Sequence, residues 1–399
     1  MLTLRNDLNV PSGSTFLCAC TNATGIFVGM NDNSFRIYDW NWNQKSSTGN
    51  ALGGGLTGLA LVNQATACGV FGSAQVDFFD VNTGAFTKVT TNATATWSSV
   101  VQQQIAGNPS TGKAVATSTT AGKLMCINGS TQTITAPTPA ALSGANATCV
   151  TNKTDTNTFL IGTSNGKVHE VDSSGTVLKS ITLPTTPNDG GAVNHVVSGV
   201  SYYNDSLAVA LDKGILYIYQ YSTSTIVAKQ ICSLGGVSNN NTVLCDAASG
   251  ITTLTRPFSV NNYCSTSVLC FSASGSYYQD VFFNETSQPN RYCGIEPSIN
   301  RLWIGSSSTS YYLARTFDIT ALSTSQVQTR IQNPPGTDVT GRIIRIRDDG
   351  INRSMVELDQ TISAGQQLLN AYKNHNYIEI ALTGTRFVDE AWDIREFEA

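Results

Sequence analysis

Residues 158–183 read TFLIGTSNGKVHEVDSSGTVLKSITL. The stretch divides into an apolar run ending in a small residue, an Asn-Gly turn, an alternating run, an Asp-Ser-Ser-Gly turn and a Thr/Ser-rich run. Asn-Gly between apolar runs is a strong hairpin signal, because both residues tolerate the positive φ that tight hairpins require. The period of two on either side predicts three antiparallel strands. The same order recurs from Gly25, Thr66 and Ser206, and more loosely from Lys113, Ser267 and Arg301, making seven units. The intervals between these starts are 41, 47, 45, 48, 61 and 34 residues, averaging 46. A unit of that length accommodates four short strands with their turns, and radial stacking buries both faces of each sheet against its neighbours.

Gly, Asn or Asp stands at the second turn of the clearest units, at Asp32–Ser34, Gly72–Ala74, Asn165–Gly166 and Lys213–Gly214. Aromatic or aliphatic alternation follows, as in Phe35 and Ile37, or Ile215, Tyr217 and Tyr219. In these blades the chain resembles the seven-bladed β-propeller superfamily, of the WD-repeat-like or YVTN-like kind, over roughly residues 14–332. No Gly-His pair or Trp-Asp ending recurs in each unit; Asp39-Trp40 has the reverse order, and Asp80-Val81 and Val171-Asp172 are faint echoes. The resemblance implies an all-β fold: a seven-bladed propeller of four-stranded antiparallel blades over residues 1–335.

Composition changes at Asn333-Pro334-Pro335-Gly336. Residues 1–335 hold 16 basic and 16 acidic side chains, whereas residues 336–399 hold 7 and 11, so the net charge of −4 lies wholly in the last segment. That segment is expected to form a small α+β appendage with strands at 342–347, 355–358 and 377–383, a helix at 364–373 and an extended end at 391–397. Its charge marks it as an attachment or oligomerisation domain. Arg342, Arg345, Arg347, Tyr372, Trp392 and Phe397 are its candidate interface residues. Arg345 and Arg347 share one strand face, either pairing internally with Glu379 or Asp393 or facing outward to dock.

Across the chain Asp, Glu, Lys and Arg make up 13% of residues, against roughly a quarter in an average soluble protein. Without a basic stripe, nucleic acid is not an expected partner. No run of about 18 apolar residues exists, so no membrane span is expected. Residues 1–10 lack the basic start and apolar stretch of a secretory signal, which predicts folding in the cytoplasm. Nine Asn-X-Ser/Thr triplets occur, a number expected by chance in so Asn/Ser/Thr-rich a chain. Ten cysteines contain no CxxC pair, and are read as buried free thiols.

Motifs that carry chemistry match by letter and fail by context. Gly53, Gly55 and Gly58 satisfy a dinucleotide pattern with no helix following, and Gly107–Lys113 resembles a phosphate loop with Ala114 where the magnesium ligand belongs. Gly162–Gly166 matches a nucleophile elbow around Ser164 but sits at a hairpin. Asp32 and Asp189 lack the companion acids of a calcium loop. His169, His195 and His375 have no partner at ligand spacing, so neither a metal nor another cofactor is expected. Asp246, Glu285 and Glu296 are acids that blades can bring together, without a sialidase-type box to support glycoside chemistry. Tyr38, Trp40 and Trp42 offer aromatic faces that either stack on a sugar or protein partner at the rim or close the first blade against its neighbour.

The chain is therefore expected not to be an enzyme. Its composition resembles that of bacteriophage virion structural proteins, some of which use propellers in tails or surface decorations. That resemblance implies a tail, baseplate or capsid-decorating component located in the virion, partnered by other virion structural proteins or by itself, with a host-surface glycan as a further candidate. A protein- or glycan-binding scaffold and a propeller hydrolase or lyase are the competing classes.

Overall fold

The structure, a computed structural model, describes residues 2–8, 16–49, 51–71, 75–90, 104–118, 120–153, 155–184, 196–211, 215–231, 242–246, 251–260, 263–272, 277–285, 290–306, 314–319, 343–348, 354–358, 380–382, 385–387 and 393–394. Seven four-stranded antiparallel sheets occur among them. The first comprises Phe16–Asn22, Gly25–Met30, Phe35–Tyr38 and Gln44–Ser47, and the second Leu56–Asn63, Thr66–Phe71, Gln75–Asp80 and Phe86–Thr90. The third is Ile105–Asn108, Lys113–Thr117, Leu124–Asn128 and Thr133–Thr135; the fourth is Ala147–Lys153, Thr158–Thr163, Lys167–Asp172 and Val177–Thr182. The fifth is Val197–Tyr203, Ser206–Leu211, Ile215–Gln220 and Thr225–Ile231; the sixth is Thr242–Asp246, Ile251–Val260, Tyr263–Ser272 and Tyr277–Glu285.

The seventh sheet draws on both ends of the chain. Its first three strands are Asn290–Glu296, Arg301–Ser306 and Ala314–Ile319, and its fourth is Leu2–Leu8, paired from Leu2 opposite Ile319 to Leu8 opposite Ala314. Sequence reading assigned residues 2–8 to no strand. It also started the sixth unit at Ser267, which lies in the third strand; the counterpart of Gly25, Thr66, Lys113, Thr158, Ser206 and Arg301 is Ile251. With that correction the intervals of 61 and 34 become 45 and 50, and the spacing is even.

First strands of successive sheets lie against each other in order, and the last of them, Asn290–Glu296, returns to the first, Phe16–Asn22. Core clusters bridge adjacent sheets. Phe35 of the first stacks on Phe79 of the second with ring centroids 4.3 Å apart, and burying each such ring contributes about 1.5–3 kcal/mol. Val70 and Phe78 meet Met125 and Ile127 of the third sheet. Leu124 and Val115 meet Phe159 and Ile161 of the fourth, and Leu160 and Val168 meet Val200 and Val209 of the fifth.

Small residues let these sheets approach. A Cβ at Gly162 would run into Val197 on the first strand of the fifth sheet and into Cys149 of its own. Gly162→Val is accordingly expected to destabilise the protein by about 1–3 kcal/mol through overpacking. Calorimetry would test this, and an unchanged melting temperature would mean that the two sheets do not meet there.

The turns explain the composition. Asn22, Asn63 and Asn108 close the first hairpins of the first three sheets, each side-chain oxygen accepting a backbone N–H two residues on, from Thr24, Ala65 and Ser110 at 2.8–3.0 Å. Asp39, Asp80, Asn128 and Asp172 do the same after the third strands, accepting from Asn41, Asn82, Ser130 and Ser174 at 2.8–3.1 Å. Such side-chain turns favour Asn or Asp first and tolerate a hydroxyl residue after it. They also generate Asn-X-Ser/Thr letters without a glycan: the Asn22 amide is buried and donates to the Gln64 carbonyl of the next sheet at 3.1 Å.

Beyond the seven sheets, Ile343–Asp348, Ser354–Leu358 and Asp393–Ile394 form a three-stranded sheet in that order, and Ile380–Leu382 pairs with Thr385–Phe387. The helix expected at 364–373 lies outside the described residues.

Candidate functional site

Between the fourth and fifth sheets lies a polar box built around Lys153, the last residue of a first strand. Its ammonium donates to Asp155 Oδ1 at 2.7 Å and to Thr156 Oγ1 at 3.2 Å, and lies 3.9 Å from Glu170 Oε1. The rings of Tyr202 and Tyr221, from the fifth sheet, have centroids 5.0 and 5.3 Å from the same nitrogen. Each phenol donates to one of the carboxylates: Tyr202 to Asp155 Oδ2 at 2.6 Å and Tyr221 to Glu170 Oε2 at 2.5 Å. Thr158 donates to Glu170 Oε1 at 2.7 Å, and Lys179 donates to the Tyr221 carbonyl at 2.6 Å from a position over its ring.

Burial, reinforced by these carboxylate bonds, pushes both phenols above their ordinary range. For Asp155, burial acts upward, and the bonds from Lys153 and Tyr202 outweigh it and hold the carboxyl below its usual value. Lysine donors, carboxylate acceptors and aromatic faces satisfy one another, so the box is a fastening between sheets.

A second junction joins the seventh sheet to the first. Trp303 is 2% exposed and stacks on Phe16 at 6.2 Å, and Phe16 meets Trp42 edge-on at 6.2 Å. Trp42 takes φ +63°, a left-handed backbone that costs a bulky residue free energy and is offset here by ring burial. Trp40 donates from Nε1 to the Asn22 carbonyl at 3.0 Å, and the Arg301 guanidinium covers its ring at 5.7 Å while bonding Asp318 at 3.3 Å. Tyr38, Trp40 and Trp42 are 3%, 4% and 5% exposed. Stacking on a sugar needs an open ring face, so of the two roles considered for this trio the structure places it in the seam between sheets.

The motif matches fall on turns. Ser164 accepts the Asn146 N–H on its hydroxyl at 3.0 Å and donates its own N–H to the Asn146 carbonyl at 2.9 Å, fastening the hairpin to the preceding connection. Gly112 and Gly166 supply the left-handed φ of +72° and +71° at their turns. Asp32 accepts from Ser34 and pairs with Arg36. His169 is buried, with Nδ1 2.7 Å from Ser180 Oγ, and burial, then the Lys167 charge, lowers its pKa. Cys18, Cys68, Cys126 and Cys149 are buried free thiols that burial pushes up to about 12.

Among the described residues no three His, Cys, Asp or Glu side chains converge on a metal position, and no helix is long and apolar enough to cross a membrane. A groove of about 370 Å³ runs between Pro137–Ala141 and Ser174–Val177, lined without a titratable side chain. Arg345 and Arg347 lie in the strand Ile343–Asp348, Arg345 opposite Glu357 and Arg347 opposite Met355. Arg342, Tyr372, Trp392 and Phe397 lie outside the described residues, as do His195, His375 and Asp189.

Solved structures similar to this arrangement are WD40-repeat and β-propeller proteins. The WD40 repeats of RRP9 superpose with a TM-score of 0.59 at 9% identity, covering 79% of this chain and 99% of that one. U3-55K gives 0.58 at 9%, covering 78% and 98%. The β-propeller domain of Cps50 (Swd1) from Myceliophteria thermophila gives 0.56 at 12%, covering 80% and 100%. The fold is a β-propeller. No protein-family model and no curated protein matches the sequence, and at these identities the propeller likeness extends to architecture alone. The Lys153 box and the tryptophan seam are thus joints between propeller blades. Sequence reading missed the box because its members are brought together only by blade stacking.

Proposed function

We propose that the chain is a non-enzymatic structural protein in which a closed seven-bladed propeller serves as a rigid platform and residues 336–399 as a docking element. The observation that carries this reading is the placement of Leu2–Leu8 as the fourth strand of the seventh sheet. The last blade is completed by the chain's own beginning, so nothing after Ile319 is needed to finish it, and the charged segment is left for another task. The polar groups support the same reading, because the Lys153 box spends its hydrogen bonds on joining two sheets and the Asn and Asp side chains spend theirs on closing turns within each sheet. Protein partners fit such a platform. The narrower assignment, a component of a virus particle in contact with other particle proteins or with itself, is our extension of that reading, motivated by the low charge and the Ser/Thr/Asn/Gly-rich composition of residues 1–335.

Deleting residues 336–399 is the test. The truncated chain is expected to keep its far-ultraviolet β spectrum and its melting temperature while losing incorporation into particles made with the other structural proteins. Retained incorporation would remove the docking role, and loss of the β spectrum would refute a self-sufficient platform.

A further inference from the structure

His169 is the one histidine among the described residues, and its surroundings suit only its neutral form. It lies in the third strand of the fourth sheet, opposite Ile161 on one side and Ser180 on the other. Residues opposite each other in a ladder share a face, and Ile161 packs with Val115 and Leu124 of the third sheet, so the imidazole points into the joint between the third and fourth blades. It is 2% exposed. Nδ1 lies 2.7 Å from Ser180 Oγ, while Nε2 is buried without a hydrogen-bond partner. A protonated ring would carry two N–H donors and a charge, and burying these without acceptors is costly.

The charged side chains around the ring have the wrong sign or are already engaged. On its own strand Lys167, two residues away on the same face, repels a second positive charge. Glu170 turns to the opposite face and accepts from Thr158 and Tyr221, and Asp172 accepts from Ser174 and Thr176 in its own turn. Of the flanking strands, Thr158–Thr163 carries no charge, and Lys179 of Val177–Thr182 reaches the Tyr221 carbonyl in the fifth sheet. Lys153 of the first strand serves the box on that same side. The third sheet and its turns, packed against the ring, offer only Lys113 and Lys123, because the sequence has no Asp or Glu from Val81 to Thr154. Cys126 of that sheet is held as a neutral thiol by burial, which pushes it up to about 12.

We propose that His169 is an acid-sensitive latch: neutral, it closes the joint between the third and fourth blades, and on taking up a proton it weakens that joint and with it the folded disc. The unfolded chain binds this proton at the ordinary value of about 6.5, and the folded chain only at lower pH. The residue's share of the stability is therefore fully present above about 6.5 and is lost as pH falls toward the folded value. The latch is independent of the docking role of residues 336–399.

Urea unfolding of the full-length chain at about pH 7.5 and about pH 5.5 tests it. Over that interval the unfolding constant of the parent is expected to rise up to about tenfold more than that of His169→Asn, the largest ratio one proton supplies. His195 and His375 are common to both chains and cancel. Ser180→Asp, which sets a carboxylate beside Nδ1, should reverse the sign, so that His169 adds stability as pH falls. In carbon-13-labelled protein the His169 ring signal, assigned by its absence from the asparagine variant, should keep its neutral position as pH falls past about 6.5. Equal acid sensitivity of the parent and His169→Asn, or a ring signal that titrates at the ordinary value, overturns the proposal. Should the asparagine variant not fold, Ser180→Asp decides alone: an acid sensitivity equal to the parent's overturns the latch.

Discussion

Replacing Lys153 with methionine should cost the protein about 1.5–3 kcal/mol, the range for a hydrogen bond to a charged group, because it leaves Asp155 and Glu170 without their cation. The lysine side chain is 8% exposed and that of Glu170 12%, so water cannot substitute freely there, whereas Asp155 is 48% exposed and is partly rehydrated. The pH dependence carries the sign of the change. Asp155 titrates below its usual range in the folded chain, so its contribution is fully present above its unfolded value of about 3.9 and is lost as pH falls through the folded value. Without Lys153 that depression shrinks, so the stability the variant loses on acidification through this group should be smaller than the parent's and complete at a higher pH. Urea melts at neutral pH and along an acid series measure both effects. A penalty below about 1 kcal/mol would show that the pair behaves as a surface ion pair.

Trp303→Ala should have a larger effect for a different reason. Removing a large ring from a close-packed seam costs about 3–5 kcal/mol. The loss falls where the last blade meets the first, against Phe16, Trp42 and Tyr38. Trp303→Phe, which keeps a ring against Phe16, should recover part of it. Equal destabilisation by both substitutions would mean that the seam depends on tryptophan's full shape, and no destabilisation by either would mean that the ring is held closed elsewhere.

Local signals in the sequence specified most of the strands and few of the joints. Asn165-Gly166 and Asp172–Gly175 bound the fourth sheet's strands because turn chemistry is set by adjacent residues. In the sixth sheet the repeat is read from the wrong strand because its two central strands run ten residues each, where those of the other sheets use four to six. Leu2–Leu8 was unreadable as a strand because its pairing partner lies at the far end of the propeller. The same limit applied to Trp40 and Trp42: a tryptophan after a strand is a rim residue or a core residue depending on what arrives beside it, and what arrives is Trp303. The recurring Asp39, Asp80, Asn128 and Asp172 were visible as letters. Only their backbone bonds reveal them as one repeated turn rather than remnants of a Trp-Asp signature.

The pairing of Leu2 with Ile319 also sets an order of events during biosynthesis. Ribosomes deliver about 5–20 residues per second, so the first strand waits on the order of tens of seconds before its partner exists. Early blades can form locally in that interval, since each is a meander of neighbouring strands, but the final closure is a contact of very high sequence separation and is correspondingly slow. Until it occurs, the nascent disc has two raw ends.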